Sequence, residues 1–140
     1  MKVIDGDGMI LGRLGAKVAK MLLCGEDVVL LNASKLVISG DRKVIVERYN
    51  TRRGLKYKAN PEYSSHWPRK PDLLVKRIIR GMLPFYSRRG REAHKKLRVY
   101  SAVPLEYKDV EKTLLPFVGA GKLSKYTTIG EVCMYLGYNA

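Results

Sequence analysis

The sequence predicts an α/β fold in which a largely parallel sheet is covered on both sides. Three observations carry this expectation. Short apolar runs at Val3-Ile4, at 28–31 and at 36–38 read as strands, residues 11–24 between the first two repeat at helical spacing, and a second helical pattern begins after Asp41. Strand, helix, strand, strand, helix is an order that favours parallel pairing through crossover helices.

Each element has a local reason. Leu11, Leu14, Val18, Met21 and Leu22 form one apolar face, and Gly25 is a natural stop for their helix. The unbroken run Val28-Val-Leu-Leu suits a strand buried on both faces. Asn32-Ala-Ser-Lys turns the chain, Ser39-Gly40 ends the third strand, and Asp41 caps a helix through Val44, Ile45, Arg48 and Tyr49. Further on, Leu74, Ile78 and Met82 recur at four-residue steps with Val75 and Ile79 beside them, while Lys76, Arg77 and Arg80 fall opposite. Pro71 and Asp72 suit the first turn of that helix, and Pro84 ends it. Val99-Tyr100-Ser101 reads as the fourth and last strand. Thr128-Ile-Gly-Glu131 reads as a capping box for a short terminal helix, and Leu114, Leu115, Phe117 and Val118 form an apolar patch around Pro116.

Charge distribution says more than composition. The chain of 140 residues carries 27 Lys and Arg against 13 Asp and Glu, a net +14. Residues 1–40 hold +1, residues 41–98 hold +13 and residues 99–140 hold 0. Within 76–98 nine cations face the single acid Glu92. From Ser87 to Arg98 only Ala93 and Leu97 suit a core, so cations point in nearly every direction around a helix. Like charges at three- and four-residue spacing destabilise an isolated helix, so a polyanion is the expected partner, with an ordinary solvated helix as the bland alternative.

Residues 50–70 show no periodicity, and a loop this long inside one domain points to function. Arg52, Arg53, Lys56, Lys58, Arg69 and Lys70 alternate there with Tyr57, Tyr63, His66 and Trp67. Such a mixture neutralises phosphates and stacks on unpaired bases. Tyr63 and Trp67 could equally tuck back onto the core. The candidate RNA-binding set is completed by Lys76, Arg77, Arg80, Arg88, Arg89, Arg91, His94, Lys95, Lys96 and Arg98. His66 and His94 suit hydrogen bonds to phosphate or 2′-hydroxyl, or simple exposure.

Other chemistries find little support. Gly6, Gly8, Gly12 and Gly15 lie between strand and helix, but a dinucleotide fingerprint from Gly6 needs a third glycine where Leu11 stands, and Asp5 and Asp7 would repel a pyrophosphate. Gly6 and Gly8 better serve a tight turn, with Gly12 and Gly15 allowing close packing on the sheet. Neither histidine has a partner at metal or acid/base spacing, and no nucleophile, base and oxyanion site assemble, so neither an enzyme nor a metal or cofactor is expected. Cys24 and Cys133 read as small core residues in a reducing compartment, not as a disulfide. No apolar run approaches the length needed to span a bilayer, so a soluble cytoplasmic protein without a small-molecule substrate is expected.

Leu11-Gly-Arg-Leu-Gly-Ala-Lys-Val-Ala, Val28-Val-Leu-Leu-Asn-Ala, Ile38-Ser-Gly, Arg80-Gly-Met-Leu-Pro84, Arg89-Gly-Arg91 and Leu97-Arg-Val-Tyr100 together resemble, in the same order, the universal L-thirteen family of large-subunit ribosomal proteins. The resemblance covers about residues 3–104 and is most specific at Arg80 to Pro84. It implies a three-layer α/β/α fold with a short, mainly parallel four-stranded sheet and basic loop and helix extensions. It also implies a structural and assembly role on large-subunit ribosomal RNA at the cytoplasmic ribosome, beside neighbouring ribosomal proteins and without catalysis. The start of the chain almost on its first strand suits the archaeal type, since the bacterial form carries an earlier segment. Residues 1–104 are then the RNA-binding core domain, and 105–140 an extension packing on the core or on a neighbouring protein. A free regulatory protein acting on mRNA is the alternative.

Overall fold

The computed structural model describes residues 1–113, 115, 119, 121 and 123–139. Its elements in order are β1 (Lys2–Asp5), α1 (Leu11–Leu23), β2 (Val28–Leu31), β3 (Val37–Ser39), α2 (Arg42–Gly54), α3 (Pro71–Gly81), α4 (Arg88–Lys95), β4 (Leu97–Val99), β5 (Tyr126–Thr128) and α5 (Ile129–Tyr135). The fold is mixed α/β with mainly parallel pairing, but four strands in one sheet is not what forms. Strands β1, β2 and β4 make a parallel sheet in that order, with Lys2 opposite Val28 and Val28 opposite Leu97. Strand β3 leaves that sheet because Asn32 adopts a left-handed backbone (φ 55°) and the 3-10 turn Ala33–Lys35 swings the chain aside. It pairs antiparallel with β5, Val37 against Thr128. The final strand is therefore β5, drawn from the C-terminal segment.

Alternation along the parallel strands divides the sheet into two faces. Ile4, Val28, Leu30 and Leu97 enter the main core with Leu14, Val18 and Leu22 of α1, Leu74, Val75 and Ile79 of α3, Ala93 of α4, and Ile129, Val132 and Leu136 of the C-terminal segment. Val3, Val29 and Leu31 face the other way, where Tyr107 of the 3-10 turn Leu105–Tyr107 covers them with Tyr100 and Val103. All five α-helices contribute to the first cluster and none to the second, so among the described residues a second helical layer is replaced by this turn. A sheet of three short strands offers too narrow an outer face to need more.

Local signals account for the ends of the elements. Gly25 (φ 92°) closes α1, Pro71 opens α3, and Thr128 and Glu131 form the capping box of α5. Helix α4 is shorter than the charge run suggested. Ser87 caps it by accepting from the Gly90 N–H, and Leu97, fully buried, belongs to β4 and not to the helix. Strand β4 starts two residues before Val99. Helix α2 runs on through Asn50 to Gly54, so the long loop begins later than periodicity implied. The Asp41 side chain makes no capping hydrogen bond to α2.

Gly8 (φ 63°) makes the turn after β1. Gly15 permits close approach to the Met82 sulfur, where an added Cβ would lie 2.7 Å away, whereas Gly12 faces open space. Close packing at these two glycines thus concerns only Gly15, and its neighbour is the end of α3. Cys133 is buried, but Cys24 is exposed at the end of α1, contrary to a core role. Of the apolar patch around Pro116, residues 114 and 116–118 lie outside the described residues, and Leu115 packs partly buried on the core.

Candidate nucleic-acid interface

The basic side chains are carried by α2, by the segment that follows it, by α3 and by α4. On α3 the buried stripe of Leu74, Val75 and Ile79 leaves Lys76, Arg77 and Arg80 half-buried at its flanks. Trp67 organises the first cluster. It packs partly buried on the core with its ring edge-on to Tyr49 of α2, centroids 5.9 Å apart. The guanidinium of Arg52 lies 4.9 Å from its ring centroid and that of Arg77 lies 5.6 Å away. Trp67 thus tucks onto the core, with two guanidiniums against its ring. Each such contact is worth about 0.5–1 kcal/mol at exposed sites, enough to fix where a flexible arginine stands.

A second cluster fills the corner between α3 and α4. Arg80 sits over the Phe85 ring at 3.8 Å, and His94 meets the same ring edge-on at 5.5 Å. The Nε2 atom of His94 is buried with no hydrogen-bond partner among the described residues. Burial, and after it the charge of Lys76, holds this imidazole below the ordinary histidine range, with a hydrogen bond to the Lys76 backbone acting the other way. The expected hydrogen bond from His94 to phosphate is therefore not prepared. Its ring is a packing element that supports Phe85.

The remaining cations are distributed as follows. Arg53 donates to the Leu136 carbonyl (3.0 Å) at the end of α5, Arg89 to the Leu23 carbonyl (3.1 Å) and Lys96 to the Gly25 carbonyl (2.8 Å), both at the end of α1. Lys95, Lys96 and Arg98 line a groove of about 460 Å³ with Asp27, Glu92 and Val29. Lys56, Lys58, Arg69, Lys70 and Arg91 are exposed, with Arg69 beside Gly137. Of all these cations only Arg88 has a carboxylate partner among the described residues, Glu92 at 2.8 Å one turn along α4. The structure therefore gathers α2, Trp67 and α3 at one place and α3 with α4 at the next, while Arg98 on β4 opens onto the groove instead. Tyr86, at the tip of the α3–α4 corner, is fully exposed (102%), and its only sequence signal is an aromatic between Pro84 and the basic run.

An array of cations mostly without carboxylate partners is the kind of surface that suits a polyanion. Among the described residues no group of His, Cys, Asp and Glu is arranged to hold a metal ion, and no helix is long and apolar enough to cross a membrane. Residues 1–106 match the family model described as Ribosomal protein L13. The chain belongs to the ribosomal protein L13 family.

Similar proteins place it within the archaeal type of that family. One from Methanococcoides burtonii is 43% identical over 139 residues, covering 98% of both chains. One from Archaeoglobus fulgidus is 46% identical and covers 97% of this chain and 87% of its own length. A third, from Aeropyrum pernix, is 44% identical over 97% of this chain and 89% of its own. Each of the three is named large ribosomal subunit protein uL13. The L13 family likeness is thus not confined to the segment before Pro104, since these alignments run through β5 and α5.

Proposed function

We propose that this chain is a structural constituent of the large ribosomal subunit, where it binds large-subunit ribosomal RNA and supports subunit assembly and translation. Membership of the L13 family and the names of its relatives support the ribosomal role. The role is structural and not enzymatic. The observation that supports the RNA contact is that, among the described residues, Arg88 alone of the cations on α2, α3 and α4 has a carboxylate partner. Such a surface repels itself until phosphates replace its counterions.

In this reading Arg52, Arg53, Lys56, Lys58, Arg69, Lys70, Lys76, Arg77, Arg80, Arg88, Arg89, Arg91, Lys95, Lys96 and Arg98 form the phosphate-binding surface, with Trp67 and His94 holding its arginines in place from behind. Arginine dominates where two-pronged contact to a phosphate is possible. The near-neutral residues 105–140 meet the core and neighbouring ribosomal proteins. Localisation then follows the cytoplasmic ribosome.

Two measurements test this. The native protein should sediment with the large subunit and resist a moderate-salt wash. If about eight phosphates are contacted, the logarithm of affinity for large-subunit ribosomal RNA should fall with the logarithm of salt at a slope of roughly −6 to −7. A slope near −1 removes the phosphate interface. Selective binding to an isolated mRNA hairpin without cosedimentation would favour a free regulatory protein instead.

A further inference from the structure

The corner between α3 and α4 is built rigidly around a side chain that touches nothing. The Pro84 carbonyl accepts from the Ser87 N–H (3.0 Å) and from the Ser87 hydroxyl (2.8 Å), and the Phe85 N–H donates to the Leu83 carbonyl (2.7 Å). Helix α4 presses against this turn at Gly90, where any Cβ would overlap the Pro84 carbonyl. Phe85 is half-buried, with Arg80 and His94 against its ring. Its neighbour Tyr86 points wholly into solvent, and Arg88, Arg89 and Arg91 follow within five residues.

We propose that Tyr86 is a stacking platform for one unpaired nucleobase of the RNA whose phosphates the adjacent arginines bind. The claim rests on the reading of this surface as an RNA interface and adds a ligand chemistry to it: the face of a base, recognised by stacking and not by charge. A pinned turn needs no reordering to receive the base, so little of the stacking energy is lost to entropy. Tyr63 is also exposed (79%), but it follows Glu62, an anion at the very place a phosphate would approach. Tyr135 is already covered by Arg42, 5.2 Å from its ring. Tyr86 alone of these combines full exposure, a fixed turn and cations on one side. A protein partner would gain from the aromatic ring but not from the run of like charge beside it.

The test uses the full-length chain and a full-length large-subunit ribosomal RNA transcript over a range of salt. Tyr86→Ala should weaken binding about 5- to 150-fold with the salt slope unchanged, because no phosphate contact is lost. Tyr86→Phe should bind as the unsubstituted chain does. Unchanged affinity for Tyr86→Ala, or a Phe variant as weak as the Ala variant, overturns the stacking role while leaving the phosphate interface standing. A slope near −1 in the unsubstituted chain removes both. In ultraviolet-irradiated native large subunits, the tryptic peptide 81–88 should carry a nucleotide on Tyr86, whereas attachment of Tyr86 to a protein overturns the proposal.

Discussion

Arg89 on α4 donates its guanidinium hydrogen bond to the carbonyl of Leu23 at the end of α1, 66 residues earlier in the chain. Lys96 repeats the arrangement at Gly25 two residues on. Both cations sit near the negative end of the α1 macrodipole, and Arg89 satisfies a carbonyl that the helix itself leaves unpaired. Part of the basic run therefore holds the fold together.

This gives the arginines of α4 separable roles. Arg89→Ala should cost about 1 kcal/mol of stability, while Arg91→Ala, whose side chain has no protein partner among the described residues, should stay within about 0.5 kcal/mol of the parent chain. Urea midpoints decide it, and both variants should weaken RNA binding. Equal midpoints would show that the Leu23 contact contributes nothing.

The glycines of the α3–α4 corner should behave oppositely. Gly90→Ala forces a Cβ into the Pro84 carbonyl, a backbone atom that cannot step aside, and should destabilise the protein by more than about 2 kcal/mol. Gly81, the last residue of α3, has nothing within 4 Å of an added Cβ. Gly81→Ala should be neutral or stabilising by up to about 1 kcal/mol. Thermal unfolding of the two variants side by side checks both.

The cysteines should differ sharply in reactivity. Burial, with Asp72 adding to it, pushes the Cys133 thiol up to about 12, and the thiolate is the reactive form. Cys24 is exposed. Near neutral pH the native chain should take up one equivalent of an alkylating reagent, at Cys24, and a second only after denaturation. Modification of native Cys133 at a comparable rate would contradict its burial.

Acid should weaken the fold through His94. Its folded pKa is lowered, chiefly by burial, so as pH falls through the ordinary histidine value of 6.5 the unfolded chain binds the proton first. The stabilising contribution is complete above that value and is lost below it. His94→Gln should therefore show a smaller drop in Tm between about pH 7.5 and pH 5.5 than the parent. An identical drop in both chains would place the acid sensitivity elsewhere.

Removing residues 105–140 should abolish cooperative folding. Ile129, Val132 and Leu136 are at most 4% exposed, and burying each is worth about 1.5–3 kcal/mol, which approaches the whole of a typical domain's stability of about 5–15 kcal/mol. A shortened chain that still unfolds in one cooperative transition would show that β5 and α5 are dispensable.

Much of this architecture was legible before any coordinates. Leu11 to Leu22, Leu74 to Ile79, the Thr128 capping box and the Pro71 start each follow from interactions within one turn, and local chemistry settles such features. Failures occurred where a distant segment decides. The 36–38 run reads as the third strand of the mainly parallel sheet because nothing near it reveals that β5, some ninety residues later, is its antiparallel partner. Leu97 has a helical neighbourhood, yet parallel pairing with Val28 claims it for β4.

The candidate site divides in the same way. Where the excess of positive charge lies is a property of composition along the chain, and the sequence by itself located that excess in 41–98, as it determined the family. Only the tertiary structure decided what each residue of that stretch does: that Trp67 and His94 brace arginines from behind, that Arg89 caps α1, and that Tyr86 stands free. The physical reason is range. Net charge sums over residues whatever their arrangement, whereas a hydrogen bond or ring contact depends on ångström-scale placement of groups that the chain brings together only on folding.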